Sequence, residues 1–560
     1  MINRNITNWL FILFLLVVEL AYSQSINGKL LSRKRQAFNV NTKKVISKTQ
    51  NGLRSVVLDK NYSFAAQLLY SNTIYVVRYD FDLNDPNGKD SVKLPASCIL
   101  QIEGGSISNG FLIGNKTRIH AKPNKIFGNK IHFGGTWDVT EAYPEWFGAK
   151  GDGKTNDRVA LQIAINTFPL IKLSPKTYVC NNEIRVEGNK TIFGENSTIK
   201  CNEEGRSQIK VIGNNTLIKG ITFENLAKGY PDYGYDNGGK NSTNIVYNKG
   251  VEGITIEGCI FKNAICGVYI HSACKDIIID QCKFDSFQSL PNDHADPMRS
   301  CAGGYGICLD ADNSDGKDID NIYRVKISNC SFNNVQRHCL YIQCVYDCVV
   351  ENNYFFGNRN IIHPTPFDAI MMVYNTVGLK VVNNVFYDAL EAMHLHKIGV
   401  LPYNPNELKN ITIEKNGFHN CGDDRGANGI IGADHGDSIK LINNSFEQIR
   451  GKMGAIIGLN HNKSVTISHN NCVLSPYCSM NATIVNFNSS DIKDVKISSN
   501  MVDFSNTKTL YDKIIYTNVA ADGLIVKDNV TINGHEGFLI TVPNVTNKIV
   551  MNNTNITRPK

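Results

Sequence analysis

From about residue 216 onward, apolar and variable positions alternate in short runs, and one pattern recurs: apolar, any, apolar, any, any, Asn or Cys, any, Phe or another apolar residue. It reads Ile254-Thr-Ile256-Glu-Gly-Cys259-Ile-Phe261, then Ile277-Ile-Ile279-Asp-Gln-Cys282-Lys-Phe284. It returns as Val325-Lys-Ile327-Ser-Asn-Cys330-Ser-Phe332 and as Ile411-Thr-Ile413-Glu-Lys-Asn416-Gly-Phe418. In the same phase, Asn353, Asn384, Asn444, Asn470, Asn500 and Asn529 hold the sixth position. Successive sixth positions lie 23, 48, 23, 31, 32, 28, 26, 30 and 29 residues apart. Alternation with a period of two predicts strands, and recurrence at this spacing predicts a solenoid. A coil of that length holds three short strands and three turns, the unit of a right-handed single-stranded parallel β-helix. The expected class is all-β.

Stacked coils lie ~4.8 Å apart, so like residues at one turn form a ladder along the axis. Asn amides in such a ladder bond one another and satisfy turn backbone that is cut off from water. Cys259, Cys282 and Cys330 share that inward position, where a small apolar thiol also packs. They are expected to be buried free thiols; a disulfide between adjacent coils is the competing reading.

Residues 1–23 read as a cleaved secretory signal: Arg4, an apolar run from Trp9 to Val18, and small residues near Ala21-Tyr22-Ser23. That run is too short to span a bilayer. The expectation is therefore an exported chain, periplasmic or extracellular, with no integral membrane segment. Residues 24–140 carry short β-like runs such as Ile74-Tyr-Val-Val77 and Ile99-Leu-Gln-Ile102, with Gly104-Gly105 and Gly110 at turns. They read as a small β-rich region, or as irregular coils capping the solenoid. The solenoid takes 141–556, and 557–560 is a tail. Hydrophobic residues make up 42% of the 560, enough for a large core, which excludes global disorder. Net charge is only +7 and Lys/Arg do not cluster beyond Arg33-Lys34-Arg35, so a nucleic-acid partner is not expected.

The stretch Glu145-Trp-Phe-Gly-Ala-Lys-Gly-Asp-Gly-Lys-Thr-Asn-Asp157, followed by Val159-Ala-Leu-Gln-Ile-Ala-Ile165, resembles the opening signature of the pectate-lyase-like β-helix superfamily, which includes rhamnogalacturonase-type and epimerase-type proteins. Leu173-Ser-Pro-Lys-Thr-Tyr178 resembles that superfamily's first strand. The resemblance covers roughly residues 143–556 and implies a secreted polysaccharide-active protein. Locally, Thr155 or Asn156 is expected to cap a short amphipathic helix closing the solenoid's end, and Gly-Asp-Gly to be a tight turn.

A further strand in each coil follows the ladder turn: Gly304–Leu309, Arg337–Ile342, Phe367–Met372 and Leu390–Leu395. Aligned on the apolar pairs Ile307/Leu309, Leu340/Ile342, Ile370/Met372 and Met393/Leu395, their starts read Tyr305, His338, Asp368, Glu391, then Asn428. Polygalacturonase-like relatives carry a catalytic Asp pair and Gly-His-Gly on this strand. Here Arg337-His338-Cys339 stands in the latter's place, and the Asp pair is missing. Asp368 and Glu391 on adjacent coils would lie about 5 Å apart at their backbones. Two carboxylates that close cannot both ionise freely, so an acid and a base or nucleophile arise together. Further along the strands come Tyr341, Met371 and His394, then Asp310, Gln343, His396 and Lys397. A mixed ladder of this kind could equally be a solvated face.

Long loops gather at the same flank: 288–303 (with His294, Asp296 and Arg299), 357–366, 399–409 and 421–427. Tyr230-Pro-Asp-Tyr-Gly-Tyr235 could stack on sugars or simply staple a loop. Asp423-Asp424-Arg425 and Asp434-His435-Gly436-Asp437 rank behind the column as acid clusters, turn chemistry being their commoner use. Asp310-Ala-Asp312-Asn-Ser-Asp315-Gly316 hints at calcium with its glycine one place late.

Three functions stay open. A glycoside hydrolase would use Asp368 and Glu391, with His338 and Arg337 positioning substrate and Tyr305, Tyr341, His394, His396, Asp310 and Arg299 binding it. A uronate-polymer lyase would use Lys397, His338 or His394 as base, with Arg337 or calcium neutralising the carboxylate. A tailspike-like adhesin would bind glycan without cutting. The hydrolase is the first expectation. It requires no cofactor, and no metal site is assigned.

Overall fold

The structure is a computed structural model. It describes residues 47–48, 52–83, 91–128, 130–203, 207–226, 242–287, 289–291, 301–311, 321–357, 369–397, 407–422, 429–451, 455–478, 483–506, 515–517, 519–534, 540–541 and 544–558. Two compact units divide the chain, Met1–Val57 and Leu58–Lys560. In the first, Ser47–Lys48 pairs antiparallel with Arg54–Ser55.

The second unit is a parallel β-helix. Each coil contributes three strands, as Lys275–Asp280, Lys283–Phe287 and Tyr305–Asp310 do. The first two strands of every coil join one 28-strand sheet, and the third joins a 13-strand sheet. The expected ladder forms at the turn between the first and second strands. Asn384, Asn416, Asn444, Asn470 and Asn500 each pass an Nδ2–H to the Oδ1 of the next Asn at 2.9–3.0 Å. The same Oδ1 accepts the preceding Asn's backbone N–H. The residue before the ladder position is left-handed, φ 54–57 at Asn329, Asn352, Asn383 and Asn443, a conformation Asn tolerates.

Cys259, Cys282 and Cys330 continue the ladder as buried, unpaired thiols, with Sγ against the carbonyls of Ile218, Ile256 and Ile279 at 3.6–3.7 Å. Two places along, Phe223, Phe261, Phe284, Phe332, Phe355, Phe386, Phe418 and Phe446 stack on one another. These two columns are why the sixth and eighth positions of the repeat are restricted.

The helix expected at the entry is Arg158–Thr167, with Leu161, Ala164 and Ile165 buried in the core. Its N-cap is Asp157, two residues beyond the expected Thr155 and one beyond Asn156. The Asp157 carboxylate accepts from the backbone N–H groups of Lys150 and Gly151, so it fastens the preceding loop and does not cap the helix. Gly-Asp-Gly, expected to be a tight turn, instead opens the strand Asp152–Asn156, which pairs with Thr177–Val179 across a register shift and has Gly151 and Gly153 left-handed at φ 60 and φ 71. Asp152 accepts from the backbone of Thr155 and Lys154 and from the Thr155 hydroxyl, which holds its carboxyl down at about 2. The two halves of the opening signature meet, because Tyr178 donates to buried Glu145 at 2.8 Å and Lys176 pairs with it at 3.1 Å. Upstream, Thr73–Val77 and Ile99–Ile102 are strands, and they pair in parallel. Among the described residues, no helix is long and apolar enough to cross a membrane.

Candidate active site

The third strand of each coil aims alternate residues into the core and onto the outer face of the 13-strand sheet. Its inward pairs run Ile307/Leu309, Leu340/Ile342, Met371/Val373, Met393/Leu395 and Ile431/Ala433. The third pair departs from the expected Ile370/Met372 by one residue. Ala369-Ile370-Met371-Met372-Val373 is apolar throughout, so period-two reasoning has no phase to read there. Met371 therefore points inward and Met372 joins Tyr341 and His394 on the outer face.

The slip moves the expected column. Extending the register two places back sets Ala369, and not Asp368, beside His338 and Glu391. The same extension puts Gly429 where Asn428 was expected. Asp368 and Asn428 themselves lie outside the described residues, as do Arg299, Tyr230–Tyr235, Asp312–Gly316 and Asp423–Arg425.

Tyr305 and His338 are adjacent as expected, rings stacked at 5.7 Å, but both are buried. His338 keeps Nδ1 2.6 Å from the Ala369 carbonyl, an anchored position that suits a positioning group. Arg337 is half-buried, lies over the Tyr305 ring, and donates to its hydroxyl at 2.9 Å. Tyr341 donates to Gln343 at 2.6 Å, and burial pushes its phenol well up.

Two outer columns complete the face. One runs Tyr269, Cys308, Tyr341, Met372, His394, Gly432; the other runs His271, Asp310, Gln343, Tyr374, His396, Asp434. Asp310 accepts from Tyr269, a residue the sequence reading passed over although it stands one coil before Cys308 in the same column. Tyr374 was missed because the slip hid its place between Gln343 and His396.

Glu391 is 4% exposed and accepts from or donates to His394 Nδ1 at 2.9 Å. Burial alone would lower the His394 pKa; the hydrogen bond and charge of Glu391, with the charge of Asp434, outweigh it and raise the value. Gly432 makes room for this pair: a Cβ there would sit 2.7 Å from Glu391 Oε1 and 3.1 Å from His394 Nδ1. On the neighbouring column, His396 Nδ1 lies 3.0 Å from Asp434 but out of line for a hydrogen bond. Lys397 is half-buried, and its backbone N–H donates to the Asp434 carbonyl.

A parallel β-helix with a row of phenols, imidazoles and carboxylates along its third sheet is the class of protein these features define. No protein-family model and no curated protein matches the sequence. Solved structures similar to it include the A-module of a mannuronan C-5 epimerase from Azotobacter vinelandii, at 14% identity, TM-score 0.45, 75% of this chain and 100% of that one. A GH87 alpha-1,3-glucanase catalytic unit from Streptomyces thermodiastaticus aligns at 10% identity, TM-score 0.45, 75% and 70%. The surface adhesin PfbA of Streptococcus pneumoniae aligns at 15% identity, TM-score 0.41, 75% and 92%. These likenesses concern the course of the backbone.

Proposed function

We propose that the outer face of the 13-strand sheet binds a polysaccharide and cleaves its glycosidic bonds, by hydrolysis. The observation that carries this reading is the buried Glu391–His394 pair, 2.9 Å apart, on the sheet that also carries the neighbouring phenols of Tyr341 and Tyr374. A buried carboxylate and imidazole that share one proton are suited to passing it to a leaving sugar oxygen. Hydrolysis needs a second carboxylate. We assign that part to Asp368, immediately before Ala369 in the chain. Arg337, Tyr305 and His338 position the substrate, and Tyr341, His394, His396 and Asp310 line its path.

One observation favours a second reading, elimination on a uronate polymer. The Arg337 guanidinium, paired with Tyr305, is a cation suited to neutralising a uronate carboxylate, with His338, His394 or Lys397 as base and calcium as an aid. The exported location expected from the leader belongs with either.

The test is a panel of plant, algal and host glycans. New reducing ends without ultraviolet absorbance mark a hydrolase; absorbance from an unsaturated uronate marks a lyase; neither leaves a glycan-binding protein. With a cleaved substrate in hand, Asp368→Asn and Glu391→Gln should each lower kcat by about 100-fold, with an almost unchanged Tm. Full activity in both variants overturns the assignment. Inactive Lys397→Ala or His338→Ala with milder acid variants would support elimination.

A further inference from the structure

We propose that Asp434, His435 and His461 form a binding site for a divalent transition-metal ion of the zinc type, at the turn beyond the third-sheet strand. The three residues each offer one ligand atom, and these atoms lie within 4.8 Å of one another. Two imidazoles and one carboxylate are a borderline-soft donor set, suited to zinc or cobalt and poorly suited to calcium or magnesium.

The fold builds this site by repetition. Asp434 pairs in register with Asn460, so His435 and His461, the next residues, occupy the same turn on consecutive coils. Both turns are left-handed, φ 57 and φ 51, and His435 donates its backbone N–H to the Asn460 carbonyl at 2.8 Å. The rings consequently stack, 4.3 Å apart and 23° from parallel. Neither ring is loose: His435 Nδ1 lies 2.6 Å from Asp434, and His461 Nδ1 lies 2.9 Å from Asp491. A carboxylate behind a ligating imidazole is the usual device for orienting the ring, and Asp491 takes that part for His461.

Ligands ~2.1 Å from a tetrahedral ion stand roughly 3.4 Å apart, so the set closes with small side-chain rotations. Both imidazoles are about two-fifths exposed, so no packed core opposes those rotations. The ion would take the place of the hydrogen bond between Asp434 and His435 Nδ1. Asp434 and Asp491 would then balance a divalent charge. With three protein donors, the fourth position falls to water or to a ligand oxygen. Asp434 also faces His396, so an ion here would sit beside the outer column. The site does not rest on the cleavage reading, since neither Glu391 nor Asp368 belongs to it.

The test uses the full chain, stripped with chelator and dialysed against zinc chloride alone, with bound zinc counted by elemental analysis. About one zinc per chain is expected, and cobalt substituted for it should give the intense visible absorption of a four-coordinate site. His435→Asn and His461→Asn should each weaken binding by on the order of 100-fold or more, and Asp491→Asn on the order of tenfold. Asn is chosen because it accepts the left-handed turn, and circular dichroism of each variant checks the fold. Absence of bound zinc in the stripped and reloaded wild type overturns the proposal. So does zinc retained at full affinity by the His435→Asn/His461→Asn double variant, because the ion would then be held elsewhere.

Discussion

At the scale of single residues, the outer face depends on a glycine. Gly432 stands opposite His394, and only hydrogen at that position leaves room for the Glu391 carboxyl and the imidazole. In Gly432→Ala the new methyl would meet Glu391 Oε1 at 2.7 Å and push it from His394. Overpacking of this kind costs about 1–3 kcal/mol. The more telling readout is the imidazole. Its pKa is raised above the ordinary ~6.5 by Glu391, against the pull of burial. A raised histidine contributes stability that is fully present below the unfolded value and is lost as pH rises through the folded one. Separating the pair, by Gly432→Ala or Glu391→Gln, should therefore lower the His394 titration midpoint in an NMR pH series. It should also flatten the loss of Tm on going from mildly acidic to mildly basic buffer. An unmoved midpoint in both variants would mean that the pair does not hold the proton.

Elements were legible from sequence to the degree that each position was chemically restricted. The ladder turn is restricted twice, by the left-handed residue and by the inward Asn or Cys, so its phase survived insertions of very different length. The third-sheet strand at Ala369–Val373 is apolar on both faces, and there a one-residue slip carried Asp368 into a column that belongs to Ala369. The outer columns were legible where Tyr341, His394, Gln343 and His396 alternate with aliphatic residues, and lost where Met371 and Met372 do not. His435 was legible only as part of the cluster Asp434–Asp437, and its pairing with His461 escaped because their likeness is one of coil position, 26 residues apart, and neither sits in the repeat motif.

The same ladder permits a graded test. Asn444 Oδ1 accepts both the backbone N–H and an Nδ2–H of Asn416, whose other Nδ2–H goes to the Val381 carbonyl, whereas Asn353 Oδ1 accepts the backbone N–H of Cys330. Asn353 also stands at the border of the cysteine block, where Cys330 already replaces the amide. Each buried donor left without a partner costs about 1–3 kcal/mol. Asn444→Cys should thus lower the denaturation midpoint clearly more than Asn353→Cys, which only lengthens the thiol block by one coil. Equal losses would mean that the amide ladder is not what holds the turns.

Over the unit Leu58–Lys560 as a whole, one continuous core runs from Ala149 to Val526, and each coil touches only its neighbours along the stack. Stability in such an array is set by coil-to-coil interfaces, so opening begins where a coil has the weakest neighbour. At the N-terminal side the first coils are covered by the helix and by the ring cluster of Phe127, Phe133, Trp146 and Phe168. At the last strands Ile549, Val550, Met551 and Ile556 are exposed. Fifteen cysteines among the described residues are buried thiols outside any disulfide, and they report position along the stack. Burial pushes the Cys274 thiol up to about 11 and Cys348 up to about 12, so neither reacts as a thiolate near neutral pH. Native protein should therefore take up no alkylating agent at these sites, and denatured protein should take it up fully without a reductant. At intermediate denaturant, Cys472 and Cys478 should be modified before Cys259, Cys282 and Cys330, as read by peptide mass spectrometry. Simultaneous modification along the whole stack would make the solenoid one cooperative block, and disulfide-linked peptides would remove the thiol column from the core.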